Sequence, residues 1–305
     1  ANGVADDLAS TIMLASNKPT LIAPSMNVKM WENQNTIANV LKLKEQGIHF
    51  IGPNKGEMAC GEVGYGKMAS VQEIKKEIDY LLKPGILTGK RALVTSGPTI
   101  EQIDPVRFIS NNSSGKQGHA IADALRRHGA DTKLISGPVN IKDPENMKVT
   151  KVNSAEEMLH ECRESLPVDI AVFAAAVSDW KCSKTSNIKI KKTSENDELN
   201  LNLEKNQDIL KEISTLNKNR PDLVIGFSLE TDNLIETAKE KLKNKSCDWI
   251  VANGHYNGKE SVFDSDMNSV KLVENDNLED WGYLTKNDVA EKLCIKISKF
   301  FNEAA

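Results

Sequence analysis

The chain has 305 residues, 39% of them hydrophobic and 27% charged, which is the balance of a soluble globular protein able to bury one large core or two smaller ones. Thirty-nine basic against 43 acidic residues leave a formal net charge of −4, so nothing drives the whole molecule toward nucleic acid, although local clusters can still hold anions. No apolar run reaches the roughly 18 residues of a membrane span, and the expectation is a cytoplasmic protein with neither nucleic acid nor membrane as partner.

Residues 1–26 carry neither a basic n-region nor an initiating methionine, which excludes a signal peptide and reads as a chain that starts in mid-domain. Apolar residues over 5–16 have helical spacing, and "PTLIAPS" follows as a short buried strand. An amphipathic helix ending near Gly47 leads to a strand at 48–53, and a glycine-rich loop, "NKGEMACGEVGYGKMAS", leads to a charged helix around 70–82. Pro84, Gly85 and Gly89 mark the best boundary, so the predicted organisation is a first segment at 1–83, a linker at 84–89 and a second domain at 90–305.

The second domain opens with the strand and sharp turn of "RALVTSG". A helix is predicted over 116–128, stopping before Gly129, and "DTKLISGP" supplies the next strand. Ser154 with Glu157 three residues on predicts a capping box. "DIAVFAAAVSDW" is continuously apolar, as a strand covered on both faces is, and "DLVIGFSLET" and "DWIVAN" repeat the pattern after helical segments. Strands alternating with helices predict an open, mostly parallel α/β sheet. "NIKIKK" and "ELNLNLEK" alternate instead like two antiparallel strands, which predicts a projecting hairpin arm or a solvated edge hairpin.

Ligands of such sheets favour the carboxyl ends of the strands, where "TSGPT", "AAAVSDW", "GFSLET" and "AN" all fall. A dozen residues after the first of these comes "VRFISNNSSGKQG". Gly115 permits close backbone approach there, and Ser113, Ser114 and the free amides of the helix start could hold a phosphate. The spacing is neither GxGxxG nor that of a Walker loop, and a plain capping loop fits it too. Lys189, Lys191 and Lys192 form a cation cluster, either around an anion or along a solvated edge. Asp179 follows a buried strand as a divalent-metal ligand or a turn-capping carboxylate. In the first segment Asn27 ends a strand, and Cys60 lies in an exposed-looking loop as a reactive or an ordinary thiol. The five cysteines are widely spaced with no CxxC, and the five histidines include no HExxH, which disfavours disulfide frameworks and zinc sites. A phosphate loop, a lysine cluster and an isolated acid suit nucleotide chemistry on a carboxylate. A nicotinamide-dependent reductase would want GxGxxG where "VTSGPT" stands.

These stretches together resemble the bacterial bifunctional family that fuses phosphopantothenoylcysteine decarboxylase to phosphopantothenate–cysteine ligase in coenzyme A biosynthesis. "ANGVADDL", "APSMNVKMW" and "GPNKGEMACGEVGYGKM" are similar to the later half of its flavoprotein decarboxylase domain, and "GKRALVTSGPTIEQIDPVRFISNNSSGKQG" onward to a complete Rossmann-like ligase domain. The resemblance implies CTP-dependent, Mg²⁺-assisted joining of 4′-phosphopantothenate to L-cysteine through an acyl-cytidylate. It implies Arg107 and Asn111 at the substrate, Asp179 at metal or nucleotide, and Lys189 at the triphosphate with Lys191 and Lys192 assisting. Phe227 and Phe263 fall in nucleotide-site segments. It further implies a homodimer through arms that reach the partner's site. For the first segment it implies FMN chemistry, with Asn27 orienting the substrate carboxylate, Cys60 returning the product to the thiol level, and higher assembly through a complete flavin domain. The family's earlier phosphate-gripping turn and catalytic histidine have no counterpart here, so no independent decarboxylation is expected.

Overall fold

The structure is a computed structural model describing residues 1–58, 61–82, 85–191, 199–230, 233–254 and 265–303, so Cys60, Lys192 and Phe263 lie outside the described residues. The chain divides into two compact units, Ala1–Gly85 and Ile86–Ala305.

In the first unit Asp7 caps α1 (Leu8–Ala15), accepting from the Ser10 amide at 2.7 Å. The apolar run after it yields only β1 (Leu21–Ile22), parallel to β2 (His49–Phe50). Both residues of β1 are half-buried rather than fully covered, because among the described residues only β2 pairs with it. Asn27 and Asn33 cap α2 (Val28–Trp31) and α3 (Gln34–Glu45), and Gly47 takes a φ of 83° as the chain turns toward β2. The stretch expected as a glycine-rich loop instead forms an antiparallel hairpin, β3 (Asn54–Glu57) with β4 (Val63–Lys67), followed by α4 (Val71–Leu82). Its glycines are small for a reason: a Cβ on Gly66 would lie 2.2 Å from the Met26 carbonyl oxygen. Among the described residues of this unit only Pro24, Phe50, Pro53, Gly66, Ala69 and Glu77 are buried.

The second unit contains, in chain order, β5 (Arg91–Ser96), β6 (Ile100–Gln102), β7 (Phe108–Ser110), α5 (Lys116–Arg127), β8 (Asp131–Ser136), β9 (Lys148–Lys151), α6 (Ala155–Glu164) and β10 (Ile170–Phe173). It continues with β11 (Trp180–Cys182), β12 (Leu203–Lys205), α7 (Ile209–Ser214), β13 (Leu223–Glu230), α8 (Leu234–Lys245), β14 (Trp249–Gly254), β15 (Met267–Val273), β16 (Leu278–Thr285) and α9 (Lys286–Glu303). Eight of these strands make one sheet in the order β16-β15-β14-β13-β10-β5-β8-β9. It is parallel from β14 to β9, as the alternation predicts, and ends in the antiparallel pair β15–β16, whose polar "ENDN" turn sits between two runs of mixed character.

Alternation along each strand divides the core. Ile170 and Val172 of β10 pack with Val94, Ile225, Ile121 and Leu125 and with Val289, Leu293 and Ile297 of α9. Ala171 and Phe173 face the other way, onto Leu93, Val224, Met158, Ile213 and Leu242. Both faces of β10 are therefore covered, which explains its unbroken apolar sequence. Truncating a side chain such as Ile225 to alanine costs about 2–5 kcal/mol here. Ser154 caps α6 by accepting from the Glu157 amide at 3.2 Å, while the Glu157 carboxylate turns back to the Asn153 amide at 2.7 Å, one residue earlier than a reciprocal box requires.

The expected arm needs correction. The antiparallel pair that forms is β11 with β12, in which Trp180 faces Lys205 and Cys182 faces Leu203. Residues 187–191 belong to no strand. The backbone of Ile190 is instead satisfied by side chains of the turn between β6 and β7: Asp104 accepts from its amide at 3.1 Å and Arg107 donates to its carbonyl at 3.2 Å.

Candidate active site

The parallel strands β5, β10, β13 and β14 end on one side of the sheet, and their carboxyl ends open into a cleft of about 930 Å³. Its floor is stitched together by main-chain groups and two hydroxyls. Ala176 donates to the Gly97 carbonyl at 2.8 Å, the Ser178 amide donates to Thr99 Oγ1 at 3.0 Å, and Ser110 Oγ donates to the Thr99 carbonyl at 2.8 Å. Asn111 lines the cleft with its Nδ2 donated to the Val177 carbonyl at 2.9 Å, which directs the side chain along residues 174–178. Asn206, the residue after β12, does the same, donating to the Ser178 carbonyl at 2.9 Å.

The "SSGKQG" turn delivers the N-terminus of α5 to this cleft. Gly115 is the N-cap, in the left-handed region at φ 74°, and it supplies no side-chain capping hydrogen bond, so the positive end of the helix faces the cleft. Ser113 Oγ accepts from the Gly115 amide at 3.3 Å, and Ser113, Ser114 and Gly115 all line the cleft. Gly118 lets the helix pack on β5: a Cβ there would lie 2.5 Å from the Cβ and Oγ of Ser96. Behind the turn, Ser96 Oγ donates to the Gly115 carbonyl at 2.9 Å and lies 2.9 Å from His119 Nδ1. Burial holds the His119 pKa below the usual imidazole value, with Lys151 acting the same way and Asp143 and the Gly115 carbonyl opposing.

Five lysines line the cleft, Lys116, Lys205, Lys241, Lys245 and Lys286, against the acids Asp179 and Asp208. Lys241 Nζ donates to Ser228 Oγ at 3.3 Å, Lys245 pairs with Asp208, and Lys116 pairs with Asp266 at 2.7 Å. None of the five was singled out from the sequence. A signal existed for two: Lys241 and Lys245 are four apart and adjoin the buried Ala238 and Leu242 of α8, the stripe facing the sheet, whereas Lys239 and Lys243 point away from it. Phe227 is half-buried, packs against the core and contributes an apolar wall. Asp179 is exposed at the cleft, its carboxylate without hydrogen bond or ion pair to any described residue. Among the described residues no group of three or more His, Cys, Asp or Glu side chains forms a ready metal cage.

Other residues expected at the site lie apart from this cleft. Arg107, Lys189 and Lys191 do not line it; Arg107 is tied to Asp104 at 2.6 Å, and both lysines are exposed. In the first unit Asn27 Oδ1 accepts from the Lys29 amide at 2.9 Å and its Nδ2 donates to Glu62 at 2.6 Å.

A family model described as DNA/pantothenate metabolism flavoprotein C-terminal domain matches residues 87–301, and one described as flavoprotein matches residues 1–83. The chain is 42% identical over 272 residues to the coenzyme A biosynthesis bifunctional protein CoaBC of Haemophilus influenzae, covering 88% of this chain and 67% of that protein. It is 40% identical over 305 residues to a cysteine/cysteine sulfinic acid decarboxylase of an unknown prokaryotic organism, covering 97% of this chain and 84% of that protein. The crystal structure of the C-terminal domain of a CoaBC protein matches with a TM-score of 0.60 at 32% identity, covering 72% of this chain and 99% of that domain. The chain spans about two thirds of the length of the coenzyme A biosynthesis relatives it matches, 67% of the Haemophilus protein and 63% of one from Vibrio vulnificus.

Proposed function

Because the chain belongs to the family of bifunctional coenzyme A biosynthesis proteins, we propose that its second unit is a ligase joining 4′-phosphopantothenate to L-cysteine with CTP. One observation carries this reading: the uncapped N-terminus of α5 and the lysines of α8 line the same cleft at the sheet's carboxyl edge. Amides aimed outward from a helix start and two ammonium groups suit a triphosphate, and Phe227 supplies an apolar wall for a base.

The carboxylate of 4′-phosphopantothenate attacks the α-phosphorus of CTP, and the bond to the bridging oxygen breaks to release pyrophosphate. Lys241 and Lys245 neutralise charge on that leaving group, while the α5 amides fix its orientation. Asn111, held by its bond to the Val177 carbonyl, keeps Oδ1 as an acceptor for an N–H of the incoming amine. The cysteine amine then attacks the acyl carbon, CMP leaves, and one proton is lost from nitrogen. Magnesium bound to the phosphates would spread their charge, and the unpaired carboxylate of Asp179 fits an ion that takes one or two carboxylates plus substrate oxygens.

Arg107, Lys189 and Lys191 enter through a homodimer in which each protomer's Lys189 meets the triphosphate in its partner's cleft. Their absence from the lining of their own cleft supports this, as do the exposed apolar side chains next to them in the chain, Val106, Phe108 and Ile188. For the first unit the corresponding reading is flavin-dependent decarboxylation of the ligase product. The six residues buried among the described ones of this unit are too few to enclose a flavin. No helix among the described residues is long and apolar enough to cross a membrane, which is compatible with the cytoplasmic placement proposed here.

The test is product mass after incubating the purified chain with CTP, Mg²⁺, 4′-phosphopantothenate and cysteine. Formation of the amide supports the ligase. Saturable CTP binding with no amide under CTP or ATP would leave a non-catalytic nucleotide-binding module as the better account.

A further inference from the structure

We propose that Asp104 is a positioning residue that, together with Arg107, latches the lysine segment 189–191 by holding both backbone polar groups of Ile190. The Asp104 side chain is fully buried and accepts four hydrogen bonds: from the Val106 and Arg107 amides, each at 2.8 Å, from Arg107 Nη1 at 2.6 Å, and from the Ile190 amide at 3.1 Å. The same Nη1 donates to the Ile190 carbonyl at 3.2 Å. An acid and a guanidinium therefore do for Ile190 what a neighbouring strand would do, across 86 residues of chain. A second tie holds the segment's start, where the Ser186 amide donates to the Ile103 carbonyl at 2.9 Å.

The geometry has a consequence for the lysines. Holding both polar groups of the Ile190 backbone restricts the directions its two flanking residues, Lys189 and Lys191, can take. Neither lysine needs a contact of its own to be aimed. Arg107 is 38% exposed, and its Nη2 and Nε have no hydrogen bond to any described residue, so one edge of the guanidinium holds the latch and the other stays open to an anionic group. An anion arriving there is mechanically connected to the lysines through one peptide. Buried acids usually persist only when every lone pair has a donor, and Asp104 meets that condition with groups from both sides of the latch.

The catalytic consequence rests on the ligase reading above; the structural one does not. Asp104→Asn keeps the shape and the acceptor for the turn amides but opposes an NH₂ group to Arg107 and the Ile190 amide. Hydrogen exchange over residues 186–191 of the full chain should quicken roughly 10-fold or more, while β10 keeps its protection. In the ligase assay kcat should fall about 10–100-fold, with the KM for CTP within about twofold. Arg107→Lys retains the charge but not the two-way Nη1 contact, and should loosen the same peptide. The double variant should exchange no faster than the single ones. Unchanged exchange at 186–191 in both variants overturns the latch whatever the catalytic result. Quickened exchange with unchanged kcat overturns its role in catalysis. A wild-type chain without turnover refutes the ligase reading and leaves the exchange comparison decisive for the latch. If Asp104→Asn fails to fold, Arg107→Lys, at a half-exposed site, carries the test.

Discussion

Two cationic regions of the second unit are built on opposite principles. The cleft lysines 241 and 245 stand on a helix packed against the central sheet, and the cleft they line has a floor tied together by main-chain and hydroxyl hydrogen bonds. The segment bearing Lys189 and Lys191 has no strand partner among the described residues and is held by an acid–guanidinium pair at Ile190 and one main-chain bond at Ser186. The first arrangement fixes charge to bind a ligand in place. The second leaves charge exposed on a segment that a few contacts orient, which suits delivery to a site elsewhere. Substitutions in the two regions should therefore affect different kinetic quantities.

The largest effect is expected from Lys189→Gln, which should lower kcat by roughly 10²–10³ while leaving CTP affinity within a few-fold, measured by steady-state kinetics beside a CTP titration. A matching loss of affinity would make Lys189 a ground-state binder like the cleft lysines and erase the contrast. Lys245→Ala should weaken CTP binding about tenfold, the worth of one charge-assisted bond of about 1.4 kcal/mol, and more steeply at low salt. Gly118→Ala sharpens the structural side: its Cβ would meet Ser96 at 2.5 Å, and the helix would have to move, at a cost of about 1–3 kcal/mol in urea unfolding. Nucleotide affinity should fall with it, because the same helix start faces the cleft.

The smallest effect is a pH dependence at the base of that helix. His119 has a lowered pKa in the folded chain, chiefly through burial, so the unfolded chain binds its proton first as pH falls. Its contribution to stability is full above the unfolded value of about 6.5 and drains below it, by at most about 1.4 kcal/mol per pH unit. His119→Gln should flatten the urea midpoint between pH 7 and 5; an unchanged slope would assign the acid sensitivity to other groups.

The sequence made the central sheet legible because fully buried parallel strands have few ways to be written, though the apolar run "DIAVFAAAV" overstates β10, which ends at Phe173 and leaves Ala174 to Val177 to line the cleft. Ser113, Ser114, Gly115 and Asp179 were legible as candidates from the residues themselves, a helix start and an acid after a buried strand, whereas Asn111 and Phe227 came only through the family resemblance; all six line one cleft. The β3–β4 hairpin was not, because its glycines look like loop until Met26 and Val28 come to lie against them. Residues 187–191 were misread as a strand because their alternation is real, while what they pair with is Asp104 and Arg107, side chains that period-two patterning cannot announce. Lys241 and Lys245 were hidden in "AKEKLKNK", where only the buried stripe of α8 separates inward lysines from outward ones.

Pyrophosphate release by the purified chain, with CTP, Mg²⁺ and 4′-phosphopantothenate and then with cysteine added, tests the central claim most directly. Release that requires 4′-phosphopantothenate and precedes cysteine, with amide appearing only after cysteine, is the predicted result. A folded chain that releases no pyrophosphate with CTP or ATP, before or after cysteine, would contradict it.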